Sequence, residues 1–216
     1  MKEKIGVVFN ISEDNQPVPG CTLSECIHDG VCGLTYFSLA ADTDISAEIY
    51  SSHKLIYVAS GGIEITGGTV KEKVSAGEAI ILPVDVPVGM AAKVNSVYTE
   101  LSFAVNSDIN KAVEIGKPFI LKELAPSHSG KIINMDLVRN KDMKLAVMSF
   151  GAGTGLSEHA APGEAMIFAL EGKAVIIYEG REHTIHAGEN FCFAKRGRHA
   201  VRADADFKMA LLLMLE

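Results

Sequence analysis

Two stretches of this sequence share one layout, GGIEITGGTVKEKVSAGE at residues 61–78 and GKAVIIYEGREHTIHAGE at residues 172–189. Each begins at a glycine, runs through β-branched residues to a glycine-containing turn, returns, and ends in Ala-Gly-Glu. Runs of this kind joined by such turns predict β-hairpins. Position 61 corresponds to 172 and position 77 to 188, an offset of 111 in both cases, which indicates an internal duplication.

The offset extends beyond the hairpins. It places Leu34 on Leu145 and Ser38 on Ser149 with no insertion or deletion, so the register holds over roughly sixty positions. Many short strands, glycine turns and few helix signals predict an all-β protein in which each copy forms a double-sheet barrel or sandwich.

One segment between the copies carries helix signals. Asp108 can cap a helix, apolar residues follow at helical spacing, and Gly116 ends it. We therefore expect an N-terminal barrel at residues 1–110, and a short linker helix followed by a C-terminal barrel at residues 111–216.

Composition and charge exclude several classes of function. The 216 residues are 48% hydrophobic, 22% charged and 6% aromatic, as in a globular protein. The formal charge of −7 disfavours nucleic acid and anionic membranes as partners. The apolar runs at residues 79–82 and 210–215 fall far short of the ~20 residues of a membrane span. Four irregularly spaced cysteines and the absence of a signal-peptide pattern predict reduced thiols and a cytoplasmic location.

A motif in the second copy resembles the cupin superfamily. The segment LSEHAAPGEA at residues 156–165, which leads into Gly172, resembles the first cupin motif of two histidines separated by one residue, a carboxylate and a strand-ending glycine. The segment from Gly188 to His199 resembles the second motif. Together with the repeat, the resemblance implies a two-domain bicupin built from two tandem RmlC-like jelly-roll (double-stranded β-helix) barrels. Ala161 departs from the pattern, because it stands where the second histidine is expected.

The resemblance implies a metal site in the C-terminal barrel. The matching ligand positions are His159, Glu164 and His199, and two imidazoles with one carboxylate suit Fe, Mn, Ni or Zn. Each of the three also has a plainer interpretation: a strand-end histidine, a turn glutamate and a loop histidine beside the basic Lys195–Arg198 stretch.

The first copy has lost this ligand set. The offset places Glu48, Tyr50, His53 and Val88 at the corresponding positions, and valine cannot coordinate a metal. The resemblance therefore implies a metal-free N-terminal barrel.

Three further residues are candidates for a ligand pocket. His53 corresponds to Glu164, which makes a shared inward position plausible. If Glu164 points inward, strand alternation places Met166 and Phe168 on the same face. The alternative for Met166 and Phe168 is ordinary core packing, and for His53 a structural hydrogen bond.

Two functions remain open at this point. In the first, the C-terminal barrel holds one divalent metal and binds or transforms a small, anionic metabolite, with dioxygenase- or isomerase-type activity. In the second, both barrels are metal-free and the protein is a non-catalytic small-molecule binder or sensor. Fold alone does not choose between them. The sequence identifies no catalytic residue, and it leaves both a monomer and a homodimer open.

Overall fold

A computed structural model of the chain describes residues 1–215. In chain order the strands are β1 Val8–Phe9, β2 Thr22–His28, β3 Leu34–Leu39, β4 Thr43–Ile49, β5 His53–Ser60, β6 Gly62–Gly67, β7 Val70–Ser75, β8 Glu78–Ile81, β9 Pro87–Ala92, β10 Ser96–Phe103, β11 Asp108–Ile109, β12 Phe119–Ile120, β13 Ile132–Arg139, β14 Met143–Phe150, β15 Thr154–Ala160, β16 Glu164–Tyr178, β17 Arg181–His186, β18 Asn190–Phe193, β19 Arg198–Ala203 and β20 Phe207–Met214. The helices assigned in residues 1–215 are α1, Ile11–Asp14, and a 3₁₀ helix, Leu121–Leu124. The all-β prediction is confirmed.

The chain forms two compact units. The N-terminal unit comprises Ile11–Ser107 and Lys111–Ile120, and the C-terminal unit comprises Met1–Asn10, Asp108–Asn110 and the chain from Leu121 onward. A single boundary near residue 110 therefore does not describe the chain. The reason is main-chain pairing at the sheet edges: β1 pairs with β18 in the C-terminal unit, and β12 pairs with β8 in the N-terminal unit.

The prediction of a linker helix after Asp108 is wrong. Asp108–Ile109 forms strand β11, which pairs with β13, and residues 111–116 form turns. The Gly116 N–H donates to the Ile81 carbonyl at 2.8 Å. Helical spacing over so few residues gives little stability in isolation, so main-chain bonds to existing sheet strands prevail.

Each unit is made of two β layers. In the N-terminal unit the strand orders are β12-β8-β5-β10-β3-β2 and β4-β9-β6-β7. In the C-terminal unit the corresponding strands join into one ten-stranded network, because the 15-residue strand β16 runs through both layers. Its first part pairs with β18 and β20, and its last six residues pair with β17 and β19.

Apolar side chains from both layers fill each unit. In the N-terminal unit the core includes Ile56 and Val58 from β5, together with Ile63 and Ile65 from β6. In the C-terminal unit, β16 contributes positions 165, 167, 169, 174 and 176. Alternate residues along these strands therefore face the core, as the two-residue period of a strand requires.

The strand boundaries follow the 111-residue offset. Shifted by 111, β4 coincides with β15, β7 with β17, β9 with β19 and β10 with β20, at both ends of each strand. The two copies therefore build the same scaffold from different side chains, and any residue can be compared with its counterpart in the other copy.

The four cysteines of the chain are free thiols, as the sequence predicts. Among the described residues, no helix has the length and apolar character needed to cross a membrane.

A glycine at the same place in each copy allows the chain to pass from one layer to the next. Gly61 and Gly172 have φ of +74° and +73°, and a Cβ at either would lie 2.2 Å from a main-chain oxygen, that of Asn95 or Asp206. Positive φ and this close approach both require the absence of a side chain.

We expect Gly172→Ala to lower the free energy of unfolding by at least about 2 kcal/mol more than Gly180→Ala. Gly180 is the matched control, because its φ is +76° but nothing lies within 4 Å of an added Cβ. Chemical denaturation of the two variants makes the comparison. Equal losses would show that backbone strain alone sets the requirement at Gly172.

Candidate metal centre

Strands β15 and β19 bring two of the predicted ligands together. His159 and His199 are directly paired across these strands, next to a bulge between Leu156 and His159. Their ring centroids lie 4.2 Å apart. His199 is 6% exposed and stacks on Phe193 with a centroid distance of 4.2 Å, whereas His159 is exposed.

The main chain orients both imidazoles. His159 Nδ1 lies 2.8 Å from the Ser157 carbonyl oxygen, and His199 Nδ1 lies 3.1 Å from that of Gly197. A carbonyl oxygen only accepts, so each Nδ1 carries the proton and donates it. In the neutral rings, Nε2 of both histidines therefore keeps its lone pair, which is the form that binds a metal.

The environment favours the neutral form of His199. Burial is the main cause that lowers its pKa below the ordinary 6.5, the nearby His159 adds to this effect, and the hydrogen bond to Gly197 opposes it. An imidazole kept neutral in this way is available as a Lewis base.

The structure does not bring Glu164 to this pair. Glu164 is the first residue of β16, and its neighbour Ala165 is the one that packs in the core of the unit. Successive side chains alternate between the two faces, so Glu164 lies on the opposite face. There its carboxylate contacts the Met1 ammonium group.

The predicted pocket residues also lie elsewhere. Met166 and Phe168 share the strand face of Glu164; they are 0% and 7% exposed and lie outside the core cluster formed by positions 165, 167 and 169. His53 is 5% exposed, its Nδ1 lies 3.2 Å from the Leu82 carbonyl oxygen, and its ring lies against Phe103. This arrangement fits the structural hydrogen bond that the sequence left open for His53.

The donor set is therefore smaller than the sequence suggests. Within residues 1–215, no group of three or more His, Cys, Asp or Glu side chains is arranged to hold a metal ion. The imidazole pair supplies two nitrogen donors. Arg198, which precedes His199 on β19 and is paired with Ala160, is exposed, and its Nε donates a hydrogen bond to Glu158 Oε1 at 3.0 Å.

Comparison with known proteins identifies the fold. A family profile described as a cupin domain matches residues 146–215. A "Cupin 2 conserved barrel domain protein" from Leptotrichia buccalis is similar at a TM-score of 0.89 and 25% identity, over 99% of this chain and 98% of that one. The chain has the cupin fold.

More distant structures share the fold alone. They include salicylate 1,2-dioxygenase from Pseudaminobacter salicylatoxidans, with TM-score 0.64, 11% identity and coverage of 84% of this chain and 70% of that one. A mutant of Bacillus subtilis oxalate decarboxylase has TM-score 0.58, 12% identity and coverage of 98% and 78%. A search of curated proteins finds no match.

Sequence reasoning missed a polar cluster in the N-terminal half of the chain. It contains Tyr50, Lys54, Tyr98 and Glu100, which lie together at the core of the N-terminal unit. The offset would have revealed it, because the corresponding residues of the second copy are all apolar: Ala161, Ala165, Met209 and Leu211.

Cys192 is not a reactive thiol. It is fully buried, and burial is the main cause that raises the pKa of its thiol to about 12. The thiol is therefore protonated and unreactive near neutral pH.

We expect His199 to make the protein less stable in acid. Its pKa is lower in the folded chain than the ordinary 6.5, so below that pH the unfolded chain binds the proton more readily and the free energy of unfolding falls. His199→Val, which introduces the residue found at Val88 in the first copy, removes this contribution. Denaturation in chelator-containing buffer between about pH 7.5 and 5 should show a smaller loss for the variant.

The exposed loop histidine His128 provides the control, since His128→Val should leave the pH dependence of wild type unchanged. An identical dependence in wild type and His199→Val would mean that other groups account for the acid sensitivity.

Proposed function

We propose that this chain is a bicupin whose C-terminal unit binds one divalent transition metal through Nε2 of His159 and His199. The observation that carries the proposal is the pairing of the two imidazoles across β15 and β19, each with its Nδ1 proton donated to a main-chain carbonyl. Structural agreement between the copies at an offset of 111 supports the two-domain assignment.

The donor chemistry fits a borderline metal. Neutral imidazoles suit Zn, Ni and Fe, and bind Mn less strongly. Two protein ligands leave several coordination positions for oxygen atoms of a small anionic ligand. A bound divalent metal supplies Lewis acidity, which polarises a carbonyl or carboxylate oxygen.

The residues around the pair have defined roles in this proposal. Ser157 and Gly197 orient the imidazoles through their carbonyls. Phe193 covers one face of His199 and keeps water from it. Lys195 and Arg196 are exposed on the turn that leads into β19, where their charges attract an anionic ligand.

Glu164 is outside the proposed ligand set. Its contact with the Met1 ammonium group already compensates its charge, and its position on β16 faces away from the core.

A second candidate is the non-catalytic, metal-free binding protein. Two observations favour it. The described residues bring only two possible metal ligands together at this site, and Ala161 stands at a position where the cupin motif has a histidine. The dioxygenase and decarboxylase among the structural neighbours share the fold with this chain at 11% and 12% identity, so they do not decide between the two candidates.

Metal binding decides between these candidates. Chelator-treated protein is titrated with Zn²⁺, Ni²⁺, Mn²⁺ and anaerobic Fe²⁺, and bound metal is measured by elemental analysis after gel filtration. We expect about one ion per chain, and a loss of affinity of at least about tenfold in His159→Ala and in His199→Ala.

Two matched variants sharpen the result. His128→Ala removes an exposed histidine of the same unit and should bind as wild type does. Glu164→Gln should also bind normally, whereas a loss of affinity there would restore Glu164 to the ligand set. Wild-type protein that retains none of the four ions would favour the metal-free candidate.

A further inference from the structure

The N-terminal unit contains a polar cluster inside an otherwise apolar core. Lys54 Nζ lies 2.8 Å from Glu100 Oε1 and donates a hydrogen bond to Ser102 Oγ at 2.6 Å. The side chains of Lys54 and Glu100 are 17% and 10% exposed. Lys54 Nζ also lies 5.3 Å from the centroid of the Tyr50 ring, which packs against the core.

A buried hydroxyl points to a missing partner in this cluster. Tyr98 is 0% exposed, and its hydroxyl has no hydrogen-bond partner within residues 1–215. Its ring stacks on Phe37 with centroids 4.9 Å apart. An unpaired buried hydroxyl destabilises a fold, so its retention requires another reason.

The phenols remain neutral donors. Burial is the main cause that raises the pKa of Tyr50 to about 12, and the negative charges of Glu100 and Glu48 add to it. The same causes raise the pKa of Tyr98. Tyr98 and Glu100 are two residues apart on β10, so both side chains lie on the same face of the strand.

The scaffold does not need these polar groups. At the same positions the C-terminal unit has Ala161, Ala165, Met209 and Leu211, and it forms the same strands. Replacement of a buried ion pair by apolar residues is often neutral or stabilising. The cluster therefore has no evident role in holding the fold together.

We propose that the N-terminal unit has a metal-free binding site for a small uncharged molecule with several hydroxyl groups, formed by Tyr50, Lys54, Tyr98 and Glu100. The cluster offers donors in the ammonium and phenol groups and an acceptor in the carboxylate, which is the complement of hydroxyl groups that both donate and accept. Since Lys54 and Glu100 neutralise each other, neither a free anion nor a free cation finds an uncompensated charge there.

Tyr50 lies at the edge of the site. This residue is half-buried and lies in the short connection between β4 and β5, outside both strands. The proposal does not depend on metal binding at His159 and His199, which belong to the other unit.

The test uses the full chain with ¹³C-labelled tyrosine, and the signals of its five tyrosines are assigned by Tyr→Phe variants. The neutral probes are D-xylose, D-glucose and myo-inositol, and the charged probes are acetate and ethylammonium. We expect at least one neutral probe to shift the Tyr98 and Tyr50 signals saturably and to leave Tyr178 unchanged. The proposal fails if no neutral probe shifts Tyr98, or if a charged probe binds there equally well.

Tyr98→Phe removes only the unpaired hydroxyl. We expect an unchanged or higher melting temperature without ligand, and at least about tenfold weaker binding of the probe that wild type binds. Tyr57→Phe is the control, because Tyr57 lies on β5 between Ile56 and Val58, and therefore on the strand face away from the core. A clear fall in melting temperature in Tyr98→Phe, or unchanged binding, would overturn the proposal.

Removal of Lys54 or Glu100 alone would leave an unpaired buried charge that could prevent folding. A double variant avoids this. Lys54→Ala combined with Glu100→Leu introduces the residues of the second copy and removes both charges together. We expect a folded protein that no longer binds the neutral probe. Wild-type affinity in this variant would show that the ion pair is not part of the site.

Discussion

The alternation of side chains along the strands that border each core is the constraint on which the rest of this structure depends. Each residue of β5, β10, β16 and β19 either packs between the two layers of its unit or faces away, and a shift of one position reverses the assignment. His199 and Tyr98 have the inward orientation. Glu164 has the outward one, and this single position separates a three-ligand site from the observed pair of histidines.

Duplication allows the two interiors to differ. The copies share strand boundaries, a glycine with positive φ between the layers, and an apolar core. Each copy therefore has the features that the fold needs. The polar side chains that the fold does not require differ between the two copies. In the second copy these are His159 and His199, where the first copy has Glu48 and Val88. In the first copy they are the polar cluster around Lys54, where the second copy has apolar residues.

The predictable features of this chain depend on local pattern. The hairpins at residues 61–78 and 172–189 and the constant offset follow from spacing along the sequence. The expectation that His159 and His199 lie together came from the resemblance to the cupin motifs. The linker helix failed because the helical spacing after Asp108 competes with pairing to β13, which is distant in sequence. Glu164 as a metal ligand stays a prediction: the motif indicates a carboxylate near the strand start, without the register that decides its face, and the structure places this carboxylate beside the Met1 ammonium group.

The sequence by itself determined the all-β class and the duplicated layout, because local periodicity and repeat spacing specify both. The candidate histidines came from the resemblance to the cupin motifs. Only the tertiary structure decided that Met1–Asn10 joins the C-terminal unit and that residues 111–120 join the N-terminal one. It alone also showed the bonds from both Nδ1 atoms to the main chain and the unpaired hydroxyl of Tyr98. These features depend on contacts between strands distant in sequence, whose side-chain orientation is set by strand pairing and burial.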